Sequence, residues 1–106
     1  MIHIVTALPA EARPLIDHFR LHDKSTTGGF RIHEGNGIAL VISGPGKVAA
    51  AAATALLASR LTPGTQVAWL NIGIAGHANL ELGQGLLAHR ITDKASGQNW
   101  YPPRVF

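Results

Sequence analysis

The sequence predicts an α/β domain built on a mixed central sheet flanked by helices. Two apolar runs, residues 2–6 and 38–43, have the length and β-branched content of strands in a sheet interior. The segment 47–60 is rich in alanine and leucine, which is the composition of a tightly packed helix. Glycine-rich turns follow the strands, and this order of strands and helices is typical of the α/β class.

The first strand is predicted to lead directly into a helix. Pro9 suits a first helical turn, and Glu11 lies in that turn, where the helix dipole favours a carboxylate. Leu15, Ile16 and Phe19 would form the apolar face of this helix. The polar segment 22–29 then predicts a loop.

The middle of the chain predicts a hairpin. Residues 30–34 alternate apolar and polar side chains, as a half-exposed strand does. Gly35-Asn36-Gly37 is a good hairpin turn into the strand at 38–43.

Further strands are predicted after the alanine-rich helix. Residues 61–64, Leu-Thr-Pro-Gly, are a helix stop signal. The later segments predict a second buried strand at 66–72, a loop at 77–83, an apolar strand at 85–92, and an edge strand or irregular tail at 99–106.

Composition limits the function classes. The 106 residues suffice for one domain, and 46% hydrophobic with 14% charged residues favours a folded core over disorder. The net charge of +3 comes from scattered basic residues, so no nucleic-acid surface is predicted. The sequence contains no cysteine, no secretory leader pattern and no apolar run of membrane-spanning length. We therefore expect a cytoplasmic protein without membrane partners.

The first glycine turn, residues 44–49, fits the dinucleotide fingerprint G-x-G-x-x-A after a strand. That fingerprint also requires an acidic residue about 20 positions later, but residues 35–80 contain no Asp or Glu. A phosphate P-loop is excluded because Val48 follows Lys47 where Ser or Thr is needed. A ligand-free strand-to-helix turn is the remaining simple interpretation, and no cofactor is expected.

Metal binding is also not expected. His18 and His22 are four positions apart, which is a metal-ligand spacing on a helix. The sequence suggests no third ligand near them, and His22 is predicted to lie past the helix end.

A second glycine turn, residues 73–76, follows the predicted strand at 66–72. Open α/β sheets bind ligands at the carboxyl edge of their strands, so the two turns would meet there. Glu11 faces the same crevice if the three apolar strands are neighbours, and its carboxylate would be a general base acting on water. The alternative is that Glu11 only complements the helix dipole at the surface.

Three segments resemble the nucleoside phosphorylase superfamily in order and spacing. They are residues 6–11 (Thr-Ala-Leu-Pro-Ala-Glu), 43–50 (Ser-Gly-Pro-Gly-Lys-Val-Ala-Ala) and 71–76 (Asn-Ile-Gly-Ile-Ala-Gly). Within that superfamily the chain is most similar to methylthioadenosine/S-adenosylhomocysteine nucleosidases, whose second motif reads Ser-Gly-Ile-Gly-Lys-Val-Ala-Ala. The resemblance covers residues 1–93, which correspond to the amino-terminal half of such a domain.

The resemblance implies a purine nucleoside as ligand. Glu11 would activate the water that attacks the anomeric carbon of the ribose. Gly46 would lie close to the water or phosphate position. The resemblance also implies a homo-oligomer, and it implies that the substrate is bound by Ala7, Gly46, Ile74, Ala75 and Gly76.

Two departures from the family favour hydrolysis over phosphorolysis. Ile74 stands where the family has Ser or Thr, and a Gly-Asp-Pro-x-Arg loop is absent after the first strand. The later motifs, a Met-Glu pair for the ribose and an Asp that protonates the purine, are also missing. We therefore expect a half-domain that is inactive alone. The alternatives are a non-catalytic half-domain that binds a nucleoside or a partner chain, or a phosphate-dependent phosphorylase.

Overall fold

A computed structural model describes residues 1–26 and 29–103 of the chain. It contains two compact units: Met1–Ala75, and a second unit that begins at Gly76. The first unit holds a mixed five-stranded sheet and two helices, which confirms the predicted α/β class.

The sheet of the first unit is centred on β1 (Ile2–Thr6). Strand β1 pairs in parallel with β4 (Ile38–Ile42) on one side and with β5 (Ala68–Asn71) on the other. Strands β3 (Arg31–Gly35) and β2 (His22–Asp23) extend the sheet beyond β4 by antiparallel pairing, so the order is β2-β3-β4-β1-β5. The three apolar strands are therefore neighbours.

Helices α1 (Pro9–Phe19) and α2 (Lys47–Ser59) cover opposite faces of the sheet. Successive residues of a strand point to opposite faces, so each central strand supplies both layers. One core cluster joins α1 to Ile4 and Leu40, and the other joins α2 to Val5 and Val41. The predicted apolar face of the first helix is confirmed, since its members pack against the first cluster: Leu15, Ile16 and Phe19.

The hairpin between β3 and β4 turns at Asn36 and Gly37, as predicted. Their φ angles are 53° and 77°. Two consecutive positive φ values are characteristic of a type I′ turn, whose twist matches that of the flanking strands. The Asn36 side chain also donates to the Phe19 carbonyl at 2.9 Å, which ties the turn to the end of α1.

Strand β5 corrects the expectation of a buried strand at 66–72. It has only four residues, and Ala68, Trp69 and Asn71 are exposed, with Trp69 39% accessible. The physical reason is position: β5 lies at the sheet edge, while the helices pack over β1 and β4.

The predicted loop at 22–29 is also wrong in part. Residues 22 and 23 form β2, which pairs with β3, and residues 27–28 lie outside the described part of the chain. Two polar residues are too few to show the hydrophobic alternation of a strand. Strand β2 therefore depends on its pairing with β3.

The second unit contains a short hairpin of β6 (Ile91–Thr92) and β7 (Asn99–Trp100). The turn between them is closed by the Asp93 carboxylate, which accepts a hydrogen bond from the Ser96 hydroxyl at 2.9 Å. The predicted strand at 85–92 is therefore wrong except at its last two residues. Leu86 and Leu87 are 70% and 56% exposed, and among the described residues no strand pairs with them. In the segment predicted as an edge strand or tail, residues 99 and 100 form β7, and residues 104–106 lie outside the described part of the chain.

Within the two described ranges, neither helix is both long and apolar enough to cross a membrane.

Candidate functional site

The carboxyl ends of β1, β4 and β5 meet at one edge of the sheet and border an open pocket of about 370 Å³. Its walls come from the segments that follow the three strands. Ala7 and Glu11 follow β1, Gly44 and Gly46 follow β4, and Gly73 follows β5. The volume lies within the range of small-molecule sites, roughly 300–1,000 Å³.

Glu11 is held in this pocket by two backbone amides from different parts of the chain. Its Oε1 accepts from the Leu8 amide at 2.9 Å, and its Oε2 accepts from the Ile74 amide at 2.7 Å. The first bond caps the start of α1, and the second joins that helix to the turn after β5. A carboxylate has about four acceptor positions, so two remain for a water or a ligand hydroxyl.

Gly73 permits the close approach of Glu11 to the turn. A Cβ atom at Gly73 would lie 2.7 Å from the Glu11 Oε2, closer than real Cβ contacts allow. A glycine is therefore required here for packing against the carboxylate rather than for a special φ angle.

The turn after β4 is attached to the end of β1. The Ser43 amide donates to the Thr6 carbonyl at 2.8 Å, and the Gly44 amide donates to the Ala7 carbonyl at 3.0 Å. Gly44 and Gly46 have φ angles of 84° and 97°, which other residues rarely adopt. These two glycines turn the chain into α2 directly beside the pocket.

The structure brings four of the six predicted site residues together. Ala7, Glu11, Gly46 and Ile74 all line the pocket, although Ile74 is 80% exposed and contacts Glu11 through its amide rather than its side chain. The two remaining predicted residues are not among the lining residues: Ala75 is exposed, and Gly76 begins the second unit.

Sequence reasoning missed two polar residues of the pocket, Ser43 just after β4 and Lys47 at the start of α2. Asn71 also lines the pocket, at the end of β5 and within the 71–76 segment that resembles the superfamily. The signal for Ser43 and Lys47 is position, because both border the turn after a parallel strand, where open α/β sheets bind ligands.

The histidines at the predicted metal spacing do not share a helix face, since His18 lies in α1 and His22 in β2. In residues 1–26 and 29–103, no group of three or more histidine and carboxylate side chains is placed to hold a metal ion.

No protein-family model matches the chain, and no curated protein is significantly similar to it. The residues and geometry of the pocket are therefore the basis on which a function can be assigned.

Proposed function

We propose that the pocket at the carboxyl edge binds a purine nucleoside such as methylthioadenosine, and that Glu11 is the general base for hydrolysis of its N-glycosidic bond. The observation that carries this proposal is the position of Glu11, a carboxylate held by two backbone amides inside a pocket of nucleoside size. The three segments that resemble the nucleoside phosphorylase superfamily also contribute to this one pocket, although they are far apart in the chain.

The chemistry assigned to Glu11 is proton abstraction from water. The water oxygen forms a bond to the anomeric carbon, the bond from that carbon to the purine nitrogen breaks, and its electron pair leaves with the purine. One proton of the attacking water passes to the Glu11 carboxylate, the other stays on the new hydroxyl of the ribose, and the departing purine nitrogen takes a proton from solvent. Among the described lining residues Glu11 is the only carboxyl group, so this pocket supplies the base but no second carboxylic acid for the departing purine. We therefore expect nucleoside binding with slow turnover by this chain alone.

Hydrolysis is favoured over phosphorolysis by the charge and polarity of the pocket. Phosphate requires several donors or cations, whereas Lys47 is the only basic side chain among the described lining residues. Position 74 presents an isoleucine side chain, which offers no hydroxyl to an anion.

A second candidate function is binding without catalysis. It is favoured by the fact that both Glu11 oxygens already accept backbone hydrogen bonds, as they would if the carboxylate only connected two parts of the chain.

The proposed hydrolysis would take place in the cytoplasm. Self-association of the chain would supply the contacts to the ribose and the purine that the pocket lacks.

The test is adenine release from methylthioadenosine, measured with and without inorganic phosphate, together with calorimetric binding of the same nucleoside. Glu11→Gln keeps the shape of the side chain and should lower the release rate by about 10²- to 10⁴-fold, with a much smaller change in affinity. Glu81→Gln is the control, because Glu81 is an exposed carboxylate outside the pocket lining.

The outcomes separate the two functions. Phosphate-independent release that Glu11→Gln abolishes supports the nucleosidase, and unchanged release in that variant refutes Glu11 as the base. Release only with phosphate would assign phosphorolysis. Saturable binding without release supports the binding function, and the absence of both refutes nucleoside recognition.

A further inference from the structure

Strand β5 is attached to the first unit mainly through β1, and it leads into one wall of the pocket. It has four residues, lies at the sheet edge and pairs with β1 alone among the described strands. The helices pack over β1 and β4, and three of the four residues of β5 are exposed. Segments with few buried contacts open locally at a lower free-energy cost than the sheet interior. We therefore expect β5 to separate from β1 more readily than β4 does.

Separation of β5 would also remove the wall of the pocket that follows it. The Ile72 amide donates to the Val5 carbonyl at 3.1 Å, and the Ile74 amide donates to the Glu11 Oε2 at 2.7 Å. Gly73, between these two residues, lies against the same carboxylate. When the first bond breaks, the segment that makes the second is no longer fixed to the sheet. The state of β5 therefore determines whether this wall of the pocket is formed.

The pairing between β1 and β5 contains a buried histidine. His3 is opposite Trp69 in the strand register, and the two rings form a T-shaped contact with 4.5 Å between their centroids. His3 is only 2% exposed, whereas Trp69 is 39% exposed, so the indole covers the imidazole on the side of the sheet edge. The His3 Nδ1 is buried and has no hydrogen-bond partner among the described residues.

Protonation would make this buried position unfavourable for His3. An imidazolium carries a proton on both ring nitrogens, so the Nδ1 would become a buried donor without an acceptor. Three charged groups face His3: the Glu34 carboxylate of β3 favours the charged form, whereas the Met1 amino group and the Arg60 guanidinium disfavour it. Glu34 is itself paired with Arg60 at 2.9 Å, and β4 and β5 carry no titratable side chain. Burial has the largest effect, and it lowers the pKa of His3 below its usual 6.5.

We propose that the His3–Trp69 contact is pH-sensitive, and that protonation of His3 releases β5 together with the Gly73–Ile74 wall of the pocket. Opening of β5 exposes the imidazole to water, where its charged form is stable. Acid therefore favours the open strand, and neutral pH favours the closed one. The bond between Ile74 and Glu11 is present at neutral pH and is lost on acidification. This switch acts on the pocket itself and does not depend on which ligand the pocket binds.

The experiment is hydrogen exchange of the full chain, followed by NMR at about pH 7.5 and about pH 5. The Ile72 amide reports on β5. The Ser43 amide is the internal reference, because it donates to the Thr6 carbonyl on the β4 side of β1 at 2.8 Å. Between the two pH values, the protection factor of Ile72 should fall about five- to 30-fold relative to that of Ser43. The upper limit is the ratio of protonated to neutral histidine at about pH 5 for an ordinary pKa of about 6.5. The Ile74 amide resonance should shift over the same pH range.

Variants of the two rings assign the effect to their contact. His3→Gln cannot take up the proton and should remove the pH dependence of Ile72, and His3→Leu serves the same purpose if the glutamine variant does not fold. Trp69→Ala uncovers the imidazole without removing it, so the pH midpoint of the Ile74 shift should rise towards about 6.5. His89→Gln is the control, because it removes an exposed histidine of the second unit, and it should behave like the native chain.

Four results would overturn the proposal. An equal fall in protection at Ile72 in the native chain and in the His3 variant would exclude His3 as the group that titrates. A parallel loss of protection at Ile72 and Ser43 would indicate general acid unfolding. An unmoved Ile74 resonance while Ile72 loses protection would separate the strand from the pocket. An unchanged midpoint in Trp69→Ala would exclude the indole as the cover of the imidazole.

Discussion

The contact between Gly73 and Glu11 gives the most direct test of the site geometry. In Gly73→Ala the new Cβ would lie 2.7 Å from the Glu11 Oε2 and 3.5 Å from its Cδ. The carboxylate must retreat by roughly half an ångström or more to reach an ordinary contact, and the 2.7 Å hydrogen bond from the Ile74 amide would be lost or distorted. Loss of one bond to a charged acceptor costs about 1–2 kcal/mol.

A double-mutant cycle isolates this contact from the general effect of replacing glycine. Gly73→Ala is made in the native chain and in a Glu11→Ala chain, and the free energy of unfolding is measured by urea denaturation. Without the carboxylate, the alanine has space and should be neutral or stabilising by about 0.4–1 kcal/mol, because it restricts the unfolded chain. We expect a coupling energy of about 1–2 kcal/mol between the two positions.

The cycle has a clear negative outcome. If Gly73→Ala changes stability equally in both backgrounds, Glu11 does not contact the turn after β5 and the proposed base is not held as described. An unchanged Ile74 amide resonance in Gly73→Ala would lead to the same conclusion.

Two further predictions concern the α2 side of the sheet. Leu57 is 1% exposed, so Leu57→Ala should lower the free energy of unfolding by about 2–4 kcal/mol in urea denaturation. Val48 is 77% exposed on the same helix, so Val48→Ala should change it by no more than about 0.5 kcal/mol. Similar effects of the two substitutions would refute the assigned packing face of α2. Burial lowers the pKa of His3 below its usual 6.5, so the folded state binds fewer protons than the unfolded state as the pH falls past that value. The contribution of His3 to stability is therefore fully present above pH 6.5 and decreases on acidification, and urea midpoints measured from pH 8 to pH 5 should fall less in His3→Gln than in the native chain. An equal fall in both chains would contradict this role.

The parts of the fold that the sequence predicts well are those with local causes. The turn at Asn36 and Gly37 was predictable because the residue types that tolerate positive φ stand between two strand patterns. Strand β4 was predictable because a short apolar run with β-branched residues, bounded by glycine turns on both sides, is typical of a strand in a sheet interior. The exposure of β5 was not predictable, because its sequence is also apolar and only the order of the strands in the sheet places it at an edge.

In the candidate site, too, features with local causes were predictable and long-range contacts were not. The position of Glu11 near the carboxyl edge follows from its distance along the chain from β1, which the sequence displays. Its bond to the Ile74 amide joins residues 63 positions apart, and no local pattern specifies which amide a carboxylate will meet. The packing role of Gly73 was missed for the same reason, since the sequence shows a glycine in a turn but not the oxygen beside it.

The central place of β1 also determines the order in which the molecule can be assembled. The β3–β4 hairpin joins residues close in sequence, so its loop closes at small entropic cost and we expect it to form early. Strand β1 pairs with β4 across 36 positions and with β5 across 66 positions, so we expect the β1–β5 pairing to form later. A ribosome has to release residues 68–71 before the sheet closes around β1. We therefore expect the Glu11 carboxylate to gain its bond to the Ile74 amide only after β5 has joined the sheet.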